Sequence, residues 1–101
     1  MEREYNTAVL NCPLKYNIVF LLYKHNDTRY SRDAICRIML KPRTTVYDSV
    51  KALILLGMVD QVTMYKPNQF KGRPVVMYGI DDNFKKYLDG HKETIQKEVI
   101  F

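Results

Sequence analysis

The hydrophobic pattern of this chain changes its period at Gly57, and that change limits the folds open to it more than any other feature. Before Gly57, apolar residues recur every three or four positions, as in amphipathic helices. After it come two segments rich in β-branched residues, Met and Tyr, "MVDQVTMYK" and "RPVVMYGI", with the loop "PNQFKG" between them. The pattern therefore predicts an α+β fold in which helices precede a β-hairpin at 59–80.

Helical spacing of apolar residues predicts three helices before the hairpin and one after it. Their predicted ranges are 13–25, 31–40, 44–57 and 82–99. The third begins at a predicted N-cap, Thr44, and stops at Gly57, because glycine favours the left-handed conformation that ends many helices. Arg29 and Tyr30 are predicted to add a short bridge to the sheet. The initial "EYNTAVL" is equally compatible with extended and helical structure.

Side chains that favour helix starts mark the other three helices. Asn11 is the predicted N-cap of the first helix, with Pro13 in the first turn, where its missing N–H costs nothing. Ser31 is the predicted N-cap of the second helix, and either Asp81 or Asp82 that of the last.

Length and composition predict one small folded domain. The chain has 101 residues, of which 47% are hydrophobic and 27% charged, a balance typical of globular proteins. Its apolar runs are too short to span a membrane, and its start lacks the pattern of a secretory signal. We therefore expect a cytoplasmic protein. Cys12 and Cys36 are expected to be free thiols, with a disulfide between them or between subunits as the alternative.

The excess positive charge is confined to two segments. The stretch from Arg29 to Lys51 contains six basic residues against two acidic ones, and the stretch from Lys66 to Arg73 contains three basic residues and no acidic one. The whole chain has a net charge of +5, so the remainder is slightly acidic. Such a distribution is expected where one face meets a polyanion, and a merely solvated basic surface is the alternative.

Two stretches carry residue patterns more specific than periodicity. In "RTTVYDSVKALILLGMV" the pattern consists of Thr45, Val46, Val50, Leu53, Gly57 and Val59. In "FKGRPVVMYGIDDNFKKYL" it consists of Gly72, Arg73, Pro74, Tyr78 and Ile80. The first resembles the recognition helix, and the second the wing, of winged helix-turn-helix transcription regulators such as the MarR and PadR families. The resemblance implies three helices and a two-stranded wing, in a regulator of prokaryotic, archaeal or viral origin, and the helix predicted at 82–99 is an addition to that pattern.

The resemblance also implies a partner, double-stranded DNA. In such proteins the third helix enters the major groove, while the wing reaches the minor groove or the backbone. The implied DNA-contact residues are Arg32, Lys41, Arg43, Thr44, Thr45, Tyr47, Asp48, Lys51, Lys66, Lys71 and Arg73. No cofactor or metal is expected.

Several of these residues have more than one role open to them. Arg43 suits either a guanine or a phosphate, whereas Lys51 suits a phosphate. Asp48 suits either the amino group of a cytosine or a local pairing with Lys51. Thr44 suits a helix cap as well as DNA. Phe70, in the loop of the hairpin, either folds back on the hairpin or contacts sugars or a partner.

A homodimer is expected, because one winged helix contacts only a short DNA site and two-fold dimers on palindromic DNA are the common solution. Ile54 and Leu55 make the third helix apolar nearly all round near its end, so a covering surface is expected there. The predicted dimer contacts are Ile54, Leu55, Phe84, Leu88, Ile95 and Val99. Coverage of the third helix by the last helix within one chain is the alternative.

The sequence offers little to support an enzyme. His25 and His91 lie in separate helical contexts without metal-ligand spacing, and the four glycines form no phosphate-binding loop. Cys12 and His25 could pair as nucleophile and base, but nothing supplies a third group. Two function classes remain: a sequence-specific DNA-binding regulator associated with the nucleoid, and a winged-helix module that binds another protein and no DNA.

Overall fold

Four α-helices and a three-stranded sheet make up the part of the chain that the structure describes. The structure is a computed structural model and describes residues 5–64 and 74–90. Its helices are α1 (Pro13–Lys24), α2 (Arg32–Met39), α3 (Arg43–Leu55) and α4 (Asp82–Gly90). Its strands are β1 (Tyr30–Ser31), β2 (Val59–Met64) and β3 (Val75–Ile80), and a 3-10 helix at Thr7–Asn11 precedes α1. The predicted α+β class is confirmed.

The sheet is antiparallel, with β3 in the centre and β1 and β2 on either side. Val59 pairs with Ile80 and Met64 with Val75, so β2 and β3 are the two arms of one hairpin, called the wing below. On the other side of β3, Tyr30 pairs with Tyr78. The short bridge expected at Arg29 and Tyr30 therefore forms one residue later, at Tyr30 and Ser31.

One hydrophobic core joins the helices to the sheet. Its fully or almost fully buried members come from every helix and from the wing, namely Leu10, Ile18, Val19, Leu22, Ile35, Val46, Val50, Leu53, Met58, Val59, Tyr78, Ile80, Phe84 and Leu88. The three members from α3 are spaced at i, i+4 and i+7, so that helix buries one side only. Which side of α3 meets solvent is thereby fixed.

The end of α3 has the hydrogen bonds of a Schellman motif. The N–H of Met58 donates to the carbonyl of Leu53, and the N–H of Gly57 donates to that of Ile54, both at 3.0 Å. Gly57 has φ 76°, a conformation that a side chain disfavours. Leu53 and Met58 are both buried, which supplies the hydrophobic contact usual in this motif. Gly57 thus turns the chain from α3 into the wing.

Two predicted N-caps are wrong by one or two positions. The helix α3 starts at Arg43, because the extended Pro42 already accepts a hydrogen bond from the N–H of Val46 at 3.1 Å. Thr44 therefore lies inside the first turn and caps nothing. Likewise Cys12 is the N-cap residue of α1, while Asn11 ends the preceding 3-10 helix.

The other two caps form as side-chain hydrogen bonds. The Ser31 hydroxyl accepts from the N–H of Ala34 at 3.2 Å. Of the two candidates for α4, Asp81 is the cap, since its carboxylate accepts from Asn83 and Phe84. At its other end, α2 stops at Leu40, which has φ 55° although it is not a glycine. Cys12 and Cys36 are free thiols.

The last helix packs on its own chain. Phe84 and Leu88 are 0% exposed, and the Tyr5 and Phe84 ring centres lie 4.7 Å apart. Two predicted dimer contacts are thus core residues instead, because the face of α4 that carries them is already covered. Ile95 and Val99 lie outside the described residues. Within 5–64 and 74–90, no helix is long and apolar enough to cross a membrane.

Candidate nucleic-acid interface

The polar half of α3 faces solvent. Because successive helical residues turn by about 100°, the stripe opposite the buried Val46 and Val50 contains Thr44, Asp48 and Lys51, and all three are exposed. Leu55 ends the same stripe and is 78% exposed. The sequence split between a polar start and an apolar end therefore corresponds to a helix whose first half is free to contact a partner.

Every member of the predicted DNA-contact set within the described residues is exposed. These members are Arg32, Lys41, Arg43, Thr44, Thr45, Tyr47, Asp48 and Lys51. They come from the start of α2, the turn between α2 and α3, and α3 as far as Lys51, and they are called the α2–α3 surface below. The wing residues Lys66, Lys71 and Arg73 lie outside the described residues.

The first residue of α2 is tied to the first half of α3 by a cation–π contact. The Arg32 guanidinium lies 5.3 Å from the centre of the Tyr47 ring. Tyr78, buried on β3, lies close to Arg32. The pKa of its phenol is raised, because the effect of burial exceeds the opposing effect of the Arg32 charge. Arg32 and Tyr47 thus stand together at the edge of the core, where their polar ends remain accessible.

A second contact between α2 and α3 is an ion pair. The Nε atom of Arg43 lies 3.2 Å from a carboxylate oxygen of Asp33. Asp33 was not among the predicted contact residues, although it stands beside Arg32 in the basic segment. The pair joins two different helices, and residue spacing alone does not reveal such a contact.

A groove runs between the α2–α3 surface and the wing. It has a volume of about 600 Å³, and its walls include Arg32, Asp33 and Tyr47 from the helices and Gln61 and Tyr78 from the sheet. Gln61 is not among the predicted contact residues. The only signal for it in the sequence is the alternation of side chains between the two faces of β2. The start of α2 and the first half of α3 thus form one wall of the groove, and the wing forms the other.

Arg29, the first basic residue of the segment from Arg29 to Lys51, contacts the sheet. Arg29 pairs with Asp60 on β2 at 3.1 Å, and its side chain lies against Gly79, where an added Cβ would be 3.2 Å from it. Gly79 therefore leaves room for the arginine on the sheet. Arg29 contributes to holding the wing and does not belong to the α2–α3 surface.

Comparison with solved structures finds the same fold in transcription regulators. A transcriptional regulator homologue from Pyrococcus horikoshii OT3 superposes with a TM-score of 0.69 at 13% identity, over 90% of this chain and 84% of that one. The heme sensor protein PefR from Streptococcus agalactiae, in complex with heme, gives 0.65 at 17% identity, over 91% of this chain and 58% of its own. A mutant of ZitR from Lactococcus lactis gives 0.56 at 14% identity, over 80% of this chain and 50% of its own.

These comparisons define the class of fold. No protein-family model and no curated protein matches the sequence. The chain has the winged-helix fold found in transcription regulators, so the resemblance seen in the sequence is confirmed at the level of the fold. The chain spans little more than half of PefR and half of ZitR.

Proposed function

We propose that this protein binds double-stranded DNA sequence-specifically as a transcription regulator in the cytoplasm. The α3 helix lies in the major groove, and the wing contacts the minor groove or the backbone. The observation that carries the proposal is the α2–α3 surface: its exposed polar residues sit on the helix starts that a winged-helix fold offers to DNA.

The dimensions of α3 suit this role. The helix has 13 residues and a length of about 20 Å at 1.5 Å per residue. The major groove is about 12 Å wide and admits one α-helix. Insertion of the exposed side of α3 brings Arg43, Thr44 and Lys51 to phosphates or base edges, while Val50 and Leu53 anchor the opposite side in the core.

Charge supports the same orientation. The surface carries four cations, Arg32, Lys41, Arg43 and Lys51. Contacts between such cations and phosphates release counterions, so the affinity should fall steeply as salt rises. The cation–π contact with Tyr47 holds Arg32 near the start of α2, where a phosphate is also favoured by the helix N-terminus.

Selection from a random DNA library, followed by titration with the enriched sequence at several salt concentrations, tests the proposal. We expect one enriched sequence and a log–log salt slope of several units for the wild type. Lys51→Ala, which removes an exposed cation expected to meet a phosphate, should lower the affinity and reduce the slope by about one unit. Lys86→Ala, which removes an exposed cation on α4, is the matched control and should change neither. Equal effects of the two variants would contradict the proposed surface.

A homodimer is the second part of the proposal. A two-fold pair of recognition helices matches a palindromic site, and the 78% exposure of Leu55 leaves an apolar side chain at the end of α3 without cover inside the described part of the chain. Sedimentation at micromolar concentration should give a dimer, weakened by Leu55→Ser. Leu40→Ser, at a leucine that is 84% exposed and lies outside the predicted contact, is the control. A stable wild-type monomer would contradict the dimer.

The competing function, a module that binds another protein and no DNA, makes the opposite prediction. Its affinity for DNA would be negligible at physiological salt, and no sequence would be enriched.

A further inference from the structure

We propose that Asp33 is a positioning residue that orients Arg43 for the recognition of a guanine base. The inference rests on the proposed function, since it concerns how the α2–α3 surface selects a sequence. Its starting point is the ion pair that joins the first turn of α2 to the first residue of α3, with the Nε atom of Arg43 3.2 Å from the Asp33 carboxylate.

The Arg43 atom nearest to Asp33 determines which N–H donors of the guanidinium remain available to DNA. A guanidinium has five N–H donors, one on Nε and two on each terminal nitrogen. The Asp33 carboxylate approaches Arg43 at the Nε atom, so this ion pair does not require the four N–H donors of the two terminal nitrogens. Guanine presents two acceptors, O6 and N7, to such donors in the major groove. Asp33 therefore leaves Arg43 with the donors that a bidentate contact uses.

The pair also limits the freedom of a long side chain before DNA arrives. Arg43 is 69% exposed and Asp33 50% exposed, so water screens their attraction and the pair adds little to the stability of the free protein. Docked DNA removes that water, and the same pair becomes stronger because the local dielectric falls. The contribution of Asp33 is thus expected in DNA recognition and not in folding.

The negative charge of Asp33 gives the proposal a distinctive signature. A carboxylate on this face repels phosphates, so Asp33 lowers the affinity for DNA of any sequence. Asp33 also orients Arg43 for its contact with guanine, so it raises the preference for the DNA sequence that carries this guanine. Loss of Asp33 should therefore shift non-specific affinity and specificity in opposite directions, an outcome that neither a phosphate contact nor a purely structural residue produces.

Two other exposed aspartates, Asp48 and Asp27, provide a comparison with Asp33. Asp48 is also exposed, yet no ion pair to it is found among residues 5–64 and 74–90. Asp27, in the turn between α1 and β1, is exposed and accepts a hydrogen bond only from its neighbour Thr28 among the described contacts. Asp27→Asn therefore removes the same charge as Asp33→Asn without touching an arginine, and it serves as the matched control.

The experiment measures Kd by fluorescence anisotropy for the enriched DNA, for single-base variants of it, and for an unrelated duplex. The base pair contacted by Arg43 is the one at which Arg43→Ala causes the largest loss of discrimination. We expect Asp33→Asn to bind the unrelated duplex about twofold more tightly and to lose about threefold to tenfold of the discrimination at that base pair. Asp33→Glu should keep most of it, and Asp27→Asn all of it. In an Arg43→Ala background, Asp33→Asn should cause no further loss.

Three results would overturn the inference. The first is that Asp33→Asn changes Kd by one common factor for all DNA sequences, which would mean that Asp33 acts only through its charge. The second is a loss of discrimination that persists in the Arg43→Ala background, because Asp33 would then act without Arg43. The third is failure to enrich any DNA, which overturns the proposed function as well. The first two leave the proposed function intact, so the two failures are distinguishable.

Discussion

Leu40, in the turn between α2 and α3, gives the sharpest test of the local structure. Its φ of 55° and ψ of 45° place it in the left-handed region, where its N–H donates to the carbonyl of Cys36 and closes the helix. A residue with a side chain pays about 1–2 kcal/mol for that conformation. The side chain is 84% exposed, so almost no buried surface is lost when it is removed.

Replacement by glycine should therefore stabilise the protein. Leu40→Gly removes the backbone strain but raises the entropy of the unfolded chain, at a cost of about 0.5–1 kcal/mol. The net gain should be about 0.5–1 kcal/mol, or roughly 2–8 °C in Tm for a domain of this size. Urea unfolding followed by circular dichroism measures it, with an unchanged m-value expected.

Alanine at the same position is the matched control. Leu40→Ala removes the exposed leucine but keeps a Cβ, so the strain remains and the free energy of unfolding should change by less than about 0.5 kcal/mol. A gain for Leu40→Gly that exceeds that for Leu40→Ala supports a left-handed turn. Equal values, or a loss on Leu40→Gly, would refute the reasoning.

Three further changes test other parts of the fold. Gly57→Ala should destabilise the protein by about 1–2 kcal/mol, because an L-residue at φ 76° is strained, and urea unfolding would show it. Phe84→Ala should cost about 3–5 kcal/mol at every protein concentration tested, since the side chain is fully buried within one chain; a loss seen only upon dilution would indicate an interface residue instead. Tyr23 donates to Asp89 at 2.6 Å, and this hydrogen bond raises the pKa of its phenol above the usual 10.0. The protonated form is therefore favoured in the folded state, so the free energy of unfolding should fall as the pH rises past 10, and Tyr23→Phe should flatten that fall; an identical pH profile would contradict the hydrogen bond.

Much of the fold follows from local signals in the sequence. The helical spacing of Val46, Val50 and Leu53 identifies the buried side of α3, and Gly57 marks the residue at which the helix must end. Ser31 caps α2 as its residue type suggests. These features depend on a few neighbouring residues, which is why the sequence predicts them well.

Helix starts and long-range pairs were harder to predict. Pro42 and Thr44 are both acceptable near a helix start, and only the hydrogen bond from Val46 to Pro42 decides between them. The pairing of Asp33 with Arg43 depends on how α2 and α3 pack against each other. No spacing rule contains that packing, so residue type and position alone could not assign Asp33.

The last helix illustrates the same limit. A stripe of apolar residues predicts that a helix face is covered, but it does not say whether the cover is the same chain or a second copy. In the structure, Phe84 and Leu88 pack into the core of their own chain. On α3, Leu55 is exposed and Ile54 is only partly buried against the core, so these two are the remaining described candidates for a contact between copies.

The claim that the α2–α3 surface meets DNA can be tested residue by residue with NMR. A short double-stranded DNA is titrated into ¹⁵N-labelled protein at low salt, and the backbone amide shifts are followed. We expect the largest changes from Arg32 to Asp33 and from Arg43 to Lys51, with small changes in α1 and α4. Changes concentrated in α1 or α4, or no change anywhere at low salt, would contradict it.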